Sequence, residues 1–221
     1  SDFDRIMIKR IFVCAVMALA VFAASADTYF TVKLGVDATK PRAPKPENYA
    51  GAVGFHVGPR VTFGLPSNFF LETGVSAAFH KWKYANITEA TTPVTKEGEI
   101  VKNIFKSWSI LVPVLAGYAL PVGGENVFKI TTGPQLNVGL SNKFRLTSED
   151  PQLVVNADMY NNPMGMQYRR FVLDWNIGLE FMFVRHISFG VIMSYGLTNM
   201  AKNVDFKVSS FHTSLYVGYT F

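Results

Sequence analysis

The chain has 221 residues, 49% of them hydrophobic, with 21 Lys and Arg against 16 Asp and Glu and a formal net charge of +5. A basic excess that mild, without the clustering that polyanion binding needs, gives no reason to expect nucleic acid as a partner, and a single cysteine excludes a disulfide framework. So much apolar surface on so short a chain needs an apolar place to go.

The first such place is the N-terminus. Lys9 and Arg10 precede an apolar run from Ile11 to Phe22, followed by Ala24, Ser25 and Ala26. A basic n-region, a short h-region and a small-x-small site describe a secretory signal peptide, and the run is shorter than the roughly 20 residues a spanning helix requires. We expect residues 1–26 to be upstream residues and a cleaved signal, with Met7 as the start, and residues 27–221 to be the mature domain. Cys14 lies inside the apolar run, so the mature domain has no cysteine. Charges of 21 and 16 fall to 18 and 14 once three basic and two acidic groups leave with the signal.

From Asp27 onward no apolar stripe recurs at helical spacing, while two-residue alternation repeats, the signature of strands with two unlike faces. The first predicted strand sets Phe30, Val32, Leu34 and Val36 against Lys33, Gly35 and Asp37. The second sets Val53, Phe55, Val57, Val61 and Phe63 against His56, Gly58 and Arg60. In the third, Leu71, Val75, Ala77 and Phe79 oppose Glu72, Gly74, Ser76 and His80. The fourth, "SILVPVLAGYAL", is apolar on both faces. The fifth alternates Phe128, Ile130, Leu136, Val138 and Leu140 with Lys129, Thr131, Gln135 and Asn137. The sixth alternates Phe171, Leu173, Trp175, Ile177, Leu179 and Phe181 with Asp174, Asn176, Gly178 and Glu180. The seventh sets Ile187, Phe189, Val191, Met193 and Tyr195 against Ser188, Gly190, Ser194 and Gly196. The eighth is the closing "SLYVGYTF".

The apolar faces of these stretches carry no charge, and their polar faces are rich in Gly, Ser, Thr and Asn. A soluble sandwich turns its polar face to water; a transmembrane barrel is apolar outside and polar within. The expected fold is therefore all-β, an eight-stranded antiparallel up-and-down transmembrane barrel in the bacterial outer membrane. Connection lengths point the same way. "GLPSN", "PVGGEN" and "VRH" are short, and they alternate in order with the long segments 38–50, 85–105, 141–167 and 197–206. Short turns mark the periplasmic side, so both ends of the barrel are expected there. Pro59, Pro113 and Pro134 fall inside predicted strands, where each removes a ladder donor, and bulges are expected at all three.

Several stretches resemble the small outer-membrane β-barrel family of Bacteroidetes-type bacteria often called PorT-like: "VKLGVD", "GAVGFHVGPR", "ILVPVLAGYAL", "TTGPQLNVGL", "VLDWNIGLEFMF" and "MSYGLTNM". The resemblance implies a barrel fold, and an accessory role in protein secretion as one alternative. The outward face of Leu215, Val217, Tyr219 and Phe221 resembles the signal by which barrels are recognised for membrane insertion, which implies the barrel-assembly machinery as a partner. Outer-membrane lipid, lipopolysaccharide and other envelope or secretion proteins complete the expected partners.

An eight-stranded interior is just wide enough for side chains to fill. The expected lumen network comprises Lys33, Arg60, Glu72, Lys129, Asp174 and Glu180, with Arg60 facing Glu72 across a hairpin and Lys129 beside Glu180. It forms either a paired plug, because an isolated charge there is costly, or the wall of a narrow wet cavity that passes small solutes. His-x-Ser occurs at His186 to Ser188 and at His212 to Ser214. Small-barrel lipid A deacylases pair such residues with an acid, but neither copy has an orienting partner in sequence. No catalytic residue is assigned, and no cofactor or metal is expected, since nothing enforces convergence of His56, His80, His212 and Trp82. The favoured function is a non-enzymatic surface or structural role carried by long loops, especially residues 85–105 and 142–167.

Overall fold

Strict alternation of large apolar with small or polar residues makes each stretch a strand with one greasy face, and the strands satisfy their backbone groups by closing on one another. The computed structural model describes residues 27–42, 49–50, 52–87, 100–147, 154–161, 167–202 and 207–221. The expected signal region lies outside these residues. No helix among them is long and apolar enough to cross a membrane; crossing is by strands.

The strands are β1 (Thr28–Arg42), β2 (Tyr49–Ala50), β3 (Ala52–Gly64), β4 (Phe69–Gly74), β5 (Ser76–Ile87), β6 (Ile100–Gly123) and β7 (Asn126–Thr147). They continue with β8 (Val154–Asp158), β9 (Gln167–Tyr168), β10 (Phe171–Phe183), β11 (Ile187–Gly196), β12 (Ala201–Lys202) and β13 (Ser209–Thr220). β4 and β5 form one wall, because the inward residues Glu72, Ser76 and His80 keep one parity across Val75. Eight walls therefore run antiparallel as β1, β3, β4 with β5, β6, β7, β10, β11 and β13, and β13 pairs back onto β1 from Thr31↔Thr220 to Arg42↔Ser209. The ring is closed.

Its outer surface is the apolar set. Val36, Ile177, Leu215 and Val217 are each more than half exposed, while Lys33, Asp37, Asp174 and Glu180 are buried. Exposed apolar surface of that extent is a lipid-facing wall. β6, whose parity is ambiguous in sequence, turns Leu111, Pro113 and Leu115 inward and exposes Val114 and Leu120. Its inward face is apolar because it fills the lumen beside Phe70.

Pro59, Pro113 and Pro134 do not sit at bulges. Register shifts occur in the β6–β7 ladder only between Trp108 and Ser109 and between Pro121 and Gly123. The ladders between β3 and β7 instead skip pairs near Pro59, Val75, Pro113 and Pro134, and resume in the same register on either side. Inward glycines occupy this seam. A Cβ on Gly58 would meet the backbone carbonyl of Val75, one on Gly74 that of Pro59, and one on Gly133 that of Val114. A missing amide donor costs little where the ladder is already open.

The long segments are also more ordered than alternation suggests. Residues 100–105 and 141–147, read as loop, extend β6 and β7 beyond the barrel, and β8 pairs onto β7. β9 and β12 pair separately. Above the mouth, Phe105, Met159, Tyr168, Ala201 and Val208 form a small buried cluster, with Phe144, Tyr160 and Met200 packed on it. Residues 148–153 and 162–166 lie outside the described residues.

Candidate functional site in the barrel lumen

Inward-facing positions on eight walls put the polar side chains into one confined cylinder, where a charge without a partner at short range is costly. Lys33, Arg60, Glu72, Lys129, Asp174, Glu180 and Asp37 are all at most 3% exposed. They sort into two layers.

The layer nearer the short turns centres on Lys33. Its Nζ donates to both Glu72 oxygens at 2.9 Å and lies 2.7 Å from Glu180 Oε2. Glu180 Oε1 lies 3.1 Å from Lys129 Nζ, as expected of residues opposed in the β7–β10 register. The Tyr216 hydroxyl donates to Glu180 Oε2 at 2.7 Å, and its ring lies 4.8 Å from the Lys33 ammonium. Arg60 is peripheral to this layer: Nε is 4.0 Å from Glu72 Oε1, and neither Nε nor Nη1 has a hydrogen-bond partner among the described residues. Glu72 is thus held mainly by Lys33, two walls away on β1, and only loosely across its own hairpin. Phe70 and Leu115, both nearly inaccessible, fill the space beside it.

The second layer, nearer the long loops, is built on Asp37. His56 Nδ1 donates to Asp37 Oδ1 at 2.8 Å, the Ser214 hydroxyl donates to the same oxygen, and His80 Nε2 stands 3.5 Å from Oδ2. The His80 and His212 rings lie 4.7 Å apart, and His212 Nδ1 shares a hydrogen bond with Thr39 Oγ1 at 2.9 Å. Asp174 stands apart from the lysines here; Ser210 Oγ lies 3.4 Å from its Oδ1, and among the described residues it makes no ion pair. The gathering of His56, His80 and Ser214 on Asp37 is not evident from parity. It depends on the ring closure, in which β1 pairs Asp37 with Ser214, and no short turn fixes that register.

The described residues leave cavities of about 20 Å³ around Asp37, Arg60 and His80 and about 30 Å³ beneath the mouth cluster. Each has room for one or two water molecules. Neither His-x-Ser copy makes a nucleophile and base. Ser214 gives its proton to Asp37 while His212 is held by Thr39, and His186 is bonded to the Thr220 carbonyl at the short-turn end. Among the described residues no group of three or more His, Cys, Asp or Glu converges to hold a metal ion. The Trp82 side chain lies outside the described ones.

The residues expected to form the insertion signal occupy one lipid-facing row, Leu215, Val217 and Tyr219 on β13 and Phe221 directly after it. Leu215, Val217, Tyr219 and Phe221 are each at least half exposed, and the Phe221 amide donates to the Phe30 carbonyl at 3.0 Å.

A family model for the outer membrane protein beta-barrel domain matches residues 24–202. The chain belongs to this family. The barrel domain is thereby an outer-membrane protein, in keeping with its apolar outer wall and closed ring. Solved structures similar to it include Ail, the attachment invasion locus protein of Yersinia pestis, at 12% identity and TM-score 0.45, covering 88% of this chain and 99% of that one. Neisserial surface protein A is 13% identical with TM-score 0.44, covering 87% and 97%. OprG from Pseudomonas aeruginosa is 13% identical with TM-score 0.40, covering 89% and 97%. At that distance none of them bears on what this barrel domain does. No curated protein matches the sequence.

Proposed function

We propose that this protein is a non-enzymatic outer-membrane barrel with a sealed lumen, and that it acts through the surface its long-loop end presents outside the cell. The short turns and both ends of the barrel then face the periplasm, after export by the N-terminal signal. The observation that carries this reading is the Lys33 node. One buried ammonium joins Glu72 and Glu180, Lys129 closes on the second carboxylate, and Tyr216 fills the remaining acceptor site. Each charge of this node is paired, and a paired network of this kind plugs a barrel. Planar-bilayer recordings test it. The intact protein should show no steady conductance and Glu72→Ala should open one; steady current from the intact protein defeats the plug in favour of a narrow solute pore.

The surface role fits the extension of β5, β6 and β7 beyond the wall, which gives outward loops a rigid base. Its partners are envelope proteins and the outer-leaflet lipid, and the Leu215, Val217, Tyr219 and Phe221 row is what the assembly machinery would read. The resemblance to PorT-like barrels supports a second reading, an accessory part in protein secretion. Deletion separates the two: normal secretion with altered adhesion or envelope integrity supports the surface role, whereas loss of secreted cargo from the medium supports export.

A further inference from the structure

We propose that Lys81, Lys106 and Lys143 form a binding site for the phosphates of outer-leaflet lipopolysaccharide. The three residues stand directly opposite one another on adjacent strands: β5 pairs Lys81 with Lys106, and β6 pairs Lys106 with Lys143. Their inward neighbours His80, Ser107 and Asn142 are buried, while Lys106 and Lys143 are exposed and Lys81 half-buried, so the lysines lie on the outer surface. Strands about 4.8 Å apart bring three ammonium groups into one short row. Like charges directly opposed in a sheet repel, and among the described residues none of the three forms an ion pair. Asp158 pairs with Lys143 at the far end of the row, and its Oδ1 accepts the Tyr160 amide at 3.0 Å. The row therefore keeps an excess of positive charge.

A bulge creates the alignment. The β6–β7 ladder pairs Ser109 with Gly139 but Trp108 with Ser141, which makes Leu140 an extra residue on β7. In the unshifted register Asn142, not Lys143, would oppose Lys106. Bulges commonly re-aim a side chain in this way, and here the result is a third cation in line with two others.

The height of the row selects the occupant. Two residues below Lys81 and Lys106, Phe79 and Trp108 meet Phe55 in an aromatic cluster with ring centroids 5.1 to 5.8 Å apart. Aromatic girdles lie at the membrane–water interface, and at about 3.3 Å per residue the lysines stand one headgroup layer above it. Below are the exposed apolar residues Val57 and Val114, suited to acyl chains. A lipid with phosphates at its head and acyl chains beneath matches both levels, and Lys serves phosphate well as a point charge.

The site rests on the outward orientation proposed above, so the test is chosen to read the row alone. Native mass spectrometry of the barrel in detergent measures retention of bisphosphorylated lipid A, whichever way the protein faces in cells. The wild type should retain it. The Lys81→Gln, Lys106→Gln, Lys143→Gln triple variant should lose retention at least tenfold, each single variant should show a partial loss, and Lys202→Gln with Lys207→Gln should show none. Folding of each variant is checked by heat-modifiable migration in gels. Undiminished retention by the folded triple variant would overturn the proposal, as would equal retention of dephosphorylated lipid A, which would mean acyl contact alone. Displacement by inorganic phosphate at concentrations equal to lipid A would assign the row to free anions and overturn the lipid assignment.

Discussion

Two groups of lysines in this barrel occupy opposite environments. Lys33 and Lys129 are buried in the lumen and held by Glu72 and Glu180 at 2.7 to 3.1 Å. Lys81, Lys106 and Lys143 line up on the outer surface, with no ion pair among the described residues. A charge buried at the Lys33 node is cut off from bulk water, so its partners belong to the fold. A charge at the rim has water, and three of them side by side persist without internal partners. Lysine thus serves cohesion in one place and contact with an external anion in the other.

The largest effect that would sharpen this contrast is on stability. Lys33→Met leaves Glu72 and Glu180 buried beside fewer cations and should cost about 3–5 kcal/mol, whereas Lys106→Met should fall within about 0.5 kcal/mol of wild type. Guanidinium unfolding of the refolded barrel in detergent measures both, and similar losses would erase the distinction. Next comes Gly58→Ala, expected to cost about 1–3 kcal/mol by overpacking, because its Cβ would meet the Val75 carbonyl and the Ser76 Cα. Gly64→Ala, with its nearest neighbour at 3.3 Å, should cost less. Phe105→Ala should loosen the mouth cluster locally, seen as several-fold faster protease cleavage near β8 and β9 at an unchanged unfolding midpoint. The smallest effect is expected of the triple rim variant. Without lipid A it should melt no lower than wild type, because it removes repulsion and breaks no pairing.

The same inside–outside difference explains what could be read from sequence. Seven strands announced their faces because lipid and lumen demand opposite chemistry, and Leu34 next to Lys33 or Leu179 next to Glu180 is enough to orient a wall. β6 did not, since its inward Leu111, Pro113 and Leu115 are as apolar as its outward residues. Register made Lys129 and Glu180 neighbours on adjacent strands. It could not show that Lys33 reaches two carboxylates on other walls, which depends on how narrow the closed lumen is. Asp37 was legible as an inward charge but not as the centre of His56, His80 and Ser214. The prolines mislead because a missing donor does not require a bulge: an interruption of the ladder in unchanged register, lined with Gly58, Gly74 and Gly133, serves instead. The strand extensions past the mouth escaped notice because beyond lipid no alternation is required, and pairing between the extensions holds them.

The measurement that most directly tests the account uses single cysteines as spin-label sites in a cysteine-free background, since Cys14 is the only native one. Labels at Leu34, Leu179 and Val217 in lipid vesicles should relax readily with oxygen and hardly at all with a water-soluble nickel complex, while a label at Lys106 should do the reverse. Ready relaxation of the first three by the nickel complex would place the apolar wall in water and contradict a lipid-facing barrel with its charges enclosed.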